Sequence, residues 1–202
     1  MRPTRLGWAS LVTLGLLTSC AAPRYDDQVD KLITQLQTDV TTEFTTLITQ
    51  DEKIAELSGA KDKASEAALT KAQTAAGYDA NTDAYNKIAI DLVLLKTRIA
   101  NEPNWGTGNV SDALGLLTQQ LTGPIGAAVP AGSCTEPNPN SSMRSVHKAC
   151  GRLSIPYLME KYDIVSNELN LLVFYDVAIK NGQSPSGASS GSGTSTPAST
   201  KK

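Results

Sequence analysis

Histidine is almost missing from this chain of 202 residues, where His147 stands alone. A multi-histidine metal centre is therefore excluded, and serine nucleophiles have a single base of the usual kind to draw on. Aromatic residues make up only 5%, and 18 Lys and Arg face 20 Asp and Glu. A formal charge of −2 excludes a strongly basic nucleic-acid binder. The acidic residues are dispersed, so no acidic tail or polyanion mimic is present. Phosphate-binding loops, nucleophile elbows, HExxH and CxxC motifs do not occur. No apolar run reaches the roughly 20 residues that a permanent transmembrane helix needs. What remains is a chain with 40% apolar residues, enough for a single helical core.

The amino end carries a pattern of its own. Residues 1 to 5 contain Arg2 and Arg5 and no acid, and an apolar run from Leu6 to Leu17 follows. A short apolar run after a basic start is the secretory signal pattern. At its end stands Leu17-Thr18-Ser19-Cys20, which resembles the lipobox of bacterial lipoproteins. The resemblance implies cleavage before Cys20, a diacylglycerol on its sulfur and an acyl chain, such as palmitate, on its nitrogen. One acyl chain holds a protein only reversibly and two or more hold it stably, so such an anchor needs no transmembrane helix. Ala21 follows in place of the Asp that tends to retain such lipoproteins in the inner membrane, which by resemblance favours the periplasmic face of the outer membrane.

Cleavage would remove Arg2 and Arg5, leaving 16 basic and 20 acidic residues and a net charge of −4. With Cys20 assigned to lipid, Cys134 and Cys150 remain, and two cysteines in an exported protein are most simply a disulfide. Closing a loop of that size restricts the unfolded chain by about 3 kcal/mol. A zinc site of Cys134, His147 and Cys150 is the competing reading, but it requires free thiolates in an oxidising compartment and has no visible fourth ligand.

Hydrophobic periodicity predicts an all-α protein. Ile33, Val40, Leu47 and Ile54 recur every seventh residue across 25–57, with Val29, Leu36 and Leu57 beside them. Thr41, Thr42, Thr45, Thr46 and Thr49 favour strand, but the stretch does not alternate, so period outweighs propensity. Glu43 and Gln50 fall on seam positions. Ser58-Gly59 stops this helix; an Ala-rich helix over 61–76 with Leu69 as its one large apolar residue follows. From Asn81, expected to cap, the stripe Tyr85, Ile88, Leu92, Leu95, Ile99 defines a helix to about residue 101. Ile90, Val93 and Leu94 widen that stripe and predict burial on more than one side. A shorter helix capped by Asn109 or Ser111 carries Val110, Leu114, Leu117 and Leu121. A short one over 143–153 leads to a last helix over 154–180, with Pro156 in its first turn. The expectation is an antiparallel four- or five-helix bundle centred on the helices over 81–101 and 154–180. The layout is a signal peptide (1–19), a lipidated tether (20–24), the bundle (25–182) and a disordered tail (183–202). Of the last 19 residues, 15 are Ser, Gly, Pro or Thr.

Candidate chemistry is sparse. Asp79-Ala80-Asn81-Thr82-Asp83 opens like a calcium loop, but Ala84 and Ile90 occupy the positions that need Gly and Glu. His147 reads as a solvated or satisfied surface residue. Asp91, Glu160 and Asp163 are the carboxylates weighed for a glycosidase-like pair. Trp105 either anchors a partner from its Gly/Asn loop or caps the core, the latter being favoured. Tyr157, Tyr162 and Tyr175 suit the core. Lys202 ends the tail as a Lys ends the Braun-type lipoproteins that are joined to peptidoglycan, a resemblance of one residue. Together these features lead to a non-enzymatic envelope lipoprotein that contacts membrane lipid through Cys20 and an unidentified envelope protein. No nucleic acid, metal or cofactor is expected. The alternatives are a periplasmic bundle binding a ligand between its helices and, after it, a carboxylate-based hydrolase.

Overall fold

A computed structural model describes residues 26–59, 61–102, 105, 108–123, 129, 134, 138 and 141–183. The stretch read as a signal peptide (1–19), Cys20, the Ser/Gly/Thr/Pro tail from Ser184 and Lys202 lie outside the described residues. The described elements are α1 (Asp27–Leu57), α2 (Lys63–Ala75), a 3₁₀ turn (Tyr78–Asn81), α3 (Thr82–Ala100), α4 (Gly108–Thr122), α5 (Met143–Cys150) and α6 (Ile155–Lys180). No strand occurs among the described residues, and none of their helices is long and apolar enough to cross a membrane.

Four of these helices close a ring. α1 packs against α3 and α6, and α4 packs against the same two helices from the opposite corner. Cross-links fix the directions. Asp26 and Asp39 of α1 and its cap meet Arg98 and Lys87 of α3, while Asp30 and Asp51 meet Lys180 and Arg152 at the two ends of α6. Asn109 bonds Tyr175 and Gln120 bonds Lys161, so α4 and α6 are antiparallel as well. The result is the up-down-up-down bundle that the sequence implies. Its centre is not a pair of helices, however. α3 and α6 stand at diagonal corners, and all four seams share the core, because each helix buries one face only.

That one-sidedness overturns the reading of α3. Tyr85, Ile88, Leu92, Leu95 and Ile99 are buried, whereas Ile90, Val93 and Leu94 are 58%, 63% and 49% exposed. The core-facing stripe takes every third or fourth residue, and the surplus apolar positions fall on the far side of the helix. α1 keeps its seam as expected, with Val29, Ile33, Leu36, Val40, Leu47 and Ile54 buried and Leu57 half-buried. Its threonines point outward, and Thr38 donates to the Thr34 carbonyl at 2.8 Å, a bond that lets a helix tolerate a β-branched hydroxyl. α2 is the weak element foreseen. Ala72 and Ala76 meet Ile54, with half-buried Leu69 at the edge, in a small cluster apart from the main core.

Two expected caps are replaced by other contacts. Asn81 makes no capping bond; its Nδ2 donates to the carbonyls of Ala75 and Gly77 at 2.9 and 2.8 Å, tying the end of α2 to the start of α3. Asn109 and Ser111 lie inside the first turn of α4, which begins at Gly108. Caps do form at Asp26, whose carboxylate accepts from the Gln28 amide, at Asp62, which accepts from Ser65, and at Ser142, which accepts from the Ser145 amide. α5 is shorter than its period suggests, ending at Cys150 because Gly151 turns left-handed with φ 73°. Leu153, beyond that turn, is buried nonetheless.

α4 offers a direct check on this packing. Gly115 sits mid-helix, and a Cβ built on it meets nothing within 4 Å. Gly115→Ala is therefore expected to raise stability by about 0.5–1 kcal/mol, the cost of glycine in an exposed helix interior. Urea unfolding followed by far-UV circular dichroism reads it. A loss of stability would mean that the outer face of α4 is covered.

Candidate functional site

The bundle's polar chemistry collects at one end, where the carboxyl half of α1, the 3₁₀ turn, the start of α3, α5 and the start of α6 meet. His147 is the hub, and it is not at the surface as the sequence suggested. Its residue exposure is 0%. Position 147 follows Val146 and Met143 on the face of α5 that enters the core, which is why the imidazole is carried inward. Nε2 lies 2.8 Å from the Ala76 carbonyl and must donate to it, so Nδ1, 2.8 Å from the Tyr85 hydroxyl, accepts. Burial lowers the His147 pKa, and the Ala76 bond only partly opposes that. The neutral ring is thus the form this site holds.

Tyrosines surround the ring. Tyr78 stacks on Tyr85 with centroids 5.9 Å apart, and both meet His147 edge-on at 5.8 and 5.7 Å. Arg144 reaches from α5 to the Tyr78 hydroxyl at 3.2 Å and to Asn86 at 2.8 Å. Burial, followed by the Glu43 charge, pushes the Tyr85 hydroxyl well above the ordinary tyrosine range. Glu43 itself is buried on the α1 seam with Oε1 unpaired, and burial raises its pKa to about 7. The Tyr157 hydroxyl on α6 is also buried without a partner.

Lys161 is as fully enclosed. It is fully buried, donates to Gln120 of α4 and to the Ser141 carbonyl at 3.1 Å, and meets no carboxylate in these bonds. Burial lowers its pKa to about 8. The lysine holds the segment entering α5 against α4 and α6. At the carboxyl end of α5, one turn after His147, Cys134 and Cys150 have sulfurs 1.97 Å apart, the bonded pair expected, closing a span of 16 residues. The zinc reading fails: the two sulfurs are bonded to each other, both His147 ring nitrogens are taken by Tyr85 and Ala76, and no cluster of three or more His, Cys, Asp or Glu suited to a metal occurs among the described residues.

Carboxylates do pair, though not as listed from the sequence. Glu160 and Asp163 are exposed on α6, while Asp91 of α3 meets Asp39 of α1. Burial and then the neighbouring Asp39 raise the Asp91 pKa to about 6. Burial also pushes on Asp39, but bonds from Lys87 at 2.6 Å and Gln35 at 2.7 Å hold it below the usual carboxylate range. The pair bridges two packed helices and does not flank a substrate groove. Asp79, Asn81 and Asp83 occupy the 3₁₀ turn and the start of α3, a helical start and not a calcium loop. Trp105 is 1% exposed, and Tyr157 and Tyr175 are buried, so these aromatics belong to the core, with Tyr162 half-buried against Phe44.

Lys161 and Tyr85 were the residues most readily missed. Lys161 stands three after Leu158 and four before Val165, so its seam position was visible in the spacing; its residue type argued the other way. The partnership of Tyr85 with His147 spans 62 residues and has no local signal. Concavities lined by described residues lie at the surface: about 760 Å³ beside the outer threonines of α1, about 610 Å³ beside Tyr78 and Lys148, and about 280 Å³ beside Trp105. The last of these reaches the α3 and α4 seams at Ile99 and Leu114, while His147, Tyr85, Tyr157 and Lys161 are sealed from solvent. Chemically, this cluster can hold and exchange protons and lock α5 in place. It presents no nucleophile to a substrate. No protein-family model matches the chain, and no match was found among curated proteins or among solved structures.

Proposed function

We propose that this chain is a lipid-anchored lipoprotein of the bacterial envelope, held at the periplasmic face of an outer membrane and acting through protein contacts without catalysis. The observation that carries it is Leu17-Thr18-Ser19-Cys20 directly after the apolar run that follows Arg2 and Arg5. Three further features support it. The bundle begins at Asp27, within a few residues of the proposed anchor. A bonded Cys134–Cys150 pair suits an oxidising compartment. His147, Tyr85 and Lys161 are sealed in the core, where they hold helices together as in a scaffold.

Expression in a bacterial host with labelled palmitate tests the anchor. The wild type takes up label and sediments with membranes; Cys20→Ala takes up none and accumulates unprocessed or soluble. Normal acyl labelling of Cys20→Ala overturns the assignment. Pull-downs from detergent-solubilised envelope with both forms then ask whether the partner depends on tethering.

A further inference from the structure

The exposed side of α3 carries a feature that the fold does not explain. Ile90, Val93 and Leu94, all about half exposed or more, form one contiguous apolar stripe along its outer side. Cations flank it on both edges: Lys87 and Arg98 toward α1, and Lys96 toward α4. Lys87 and Arg98 are ion-paired, but asymmetrically. Their side chains are 55% and 48% exposed, while Asp39 and Asp26 beneath them are 12% and 10% exposed. The surface therefore presents the cations and hides the carboxylates. Asp83 and Glu102 are the acids at its ends, each two turns or more from the centre of the stripe.

α6 supplies the contrast. Met159, Phe174 and Val177 are also exposed, but Glu160 and Asp163 stand exposed in the same outer row. Lys180, at its far end, is committed to Asp30 and Asp176. Two apolar faces thus point away from the bundle at diagonal corners, one bordered by cations and the other by acids. A helix face with aliphatic residues between lysine and arginine heads is the composition that lies in the interface of an anionic bilayer. The aliphatic groups enter the acyl boundary, and the long basic side chains reach back to phosphate.

The position of the anchor is compatible with this face and equally with α6, since Asp30 meets Lys180 there, so the charge bordering the two faces decides between them. Cys20 stands six positions before Asp26, a stretch that reaches at most roughly 20 Å. Asp26 is bonded to Arg98, so the chain enters the bundle beside the carboxyl end of α3, and Leu94 lies one turn along from that contact. We infer that the outer face of α3, with Ile90, Val93 and Leu94 between Lys87, Lys96 and Arg98, lies on the surface of an anionic lipid bilayer. The bundle would then rest sidewise on the membrane, with α6 turned toward the periplasm. The orientation rests on the anchored reading; the lipid affinity of the face does not.

Single-site fluorophores distinguish the two. With Cys20 acylated and Cys134–Cys150 oxidised, Val93→Cys supplies one free thiol on α3 and Asn167→Cys one on the outer side of α6. Each labelled protein is placed in vesicles of phosphatidylglycerol and phosphatidylethanolamine, or of phosphatidylcholine alone, with mass spectrometry reporting acylation. In the anionic vesicles the label at 93 is expected to be quenched by bilayer-restricted doxyl lipid and shielded from aqueous iodide roughly tenfold better than the label at 167. Lys87→Glu with Lys96→Glu, both at exposed positions, should abolish that shielding. An acylated protein whose label at 93 stays open to iodide overturns the sidewise face and leaves the anchor standing. If mass spectrometry finds no acylation, Val93→Cys in a Cys20→Ala background, whose label still enters anionic vesicles, keeps the face while the anchor falls. A label already shielded before vesicles are added, in proportion to protein concentration, overturns the proposal in favour of a second copy, whose acidic α6 row is the complementary surface.

Discussion

Trp105→Ala is expected to cost about 3–5 kcal/mol of folding stability, the usual penalty for emptying a large aromatic site in a packed core. The indole is 1% exposed, near Ile99 and Leu114 around the small concavity between α3 and α4. Its backbone amide donates to the Glu102 carbonyl at 3.1 Å, which sets the turn that reverses the chain from α3 into α4. Removing the side chain leaves a void of indole size beside an existing hollow of about 280 Å³, and the surrounding helices cannot close it without breaking their own seams. Paired urea titrations of wild type and variant, followed at 222 nm, measure the difference. Trp8 would leave with the signal peptide, so the fluorescence of the processed chain reports Trp105 alone. A loss below about 1 kcal/mol would assign the indole to the surface and revive its role as a partner anchor.

Why the sequence was readable at Trp105 and not at Ile90 is a question of what periodicity measures. Period identifies a helix and its preferred face, and for α1 and α4 the apolar stripe was narrow enough to have one solution. In α3 the apolar set was wider than a single face. Width alone does not say whether the extra residues meet protein or something else, since that depends on which elements arrive from elsewhere in the chain. The same limit explains His147. A lone histidine on a short helix between a loop and Gly151 looks solvated until the chain from Ala76 and Tyr85 is brought over it. Cys134 and Cys150 were legible because a chain read as exported leaves its two remaining cysteines few alternatives to a disulfide, whereas Asp39 and Asp91, 52 positions apart, meet only through the pairing of α1 with α3.

The polar end of the bundle also has an energetic logic. Lys161 fixes the entry to α5, the Cys134–Cys150 bond fixes its exit, and His147 docks its middle against the 3₁₀ turn. α5 has only eight residues, too few to be stable alone in water. Its position therefore depends on these three attachments and on burial of Met143 and Val146. A polar residue buried for such a purpose is stabilising only while its protonation state suits the site, and here the groups titrate in opposite senses.

Glu43→Gln is expected to flatten one arm of the pH dependence. Burial raises the Glu43 pKa from 4.5 to about 7 in the folded protein. Between those values the folded protein holds a proton that the unfolded chain has released, so stability falls as pH rises through the window. The contribution is fully present below pH 4.5 and lost above about pH 7. Asp91, raised to about 6, acts in the same direction. His147 acts in the other: its folded pKa is depressed, so the unfolded chain binds the extra proton, and its contribution is present above pH 6.5 and lost as pH falls. Gln keeps the shape of Glu43 and removes only the charge. The variant should therefore gain about 3 kcal/mol on wild type between pH 4 and pH 8, from roughly 1.4 kcal/mol for each pH unit of the displaced pKa. Urea midpoints for both proteins across that range give the difference directly, with Asp91 and His147 common to both and cancelling. A gain that does not vary with pH would mean that Glu43 stays ionised throughout, paired with a cation. The buried Oε1 without a partner argues against that arrangement.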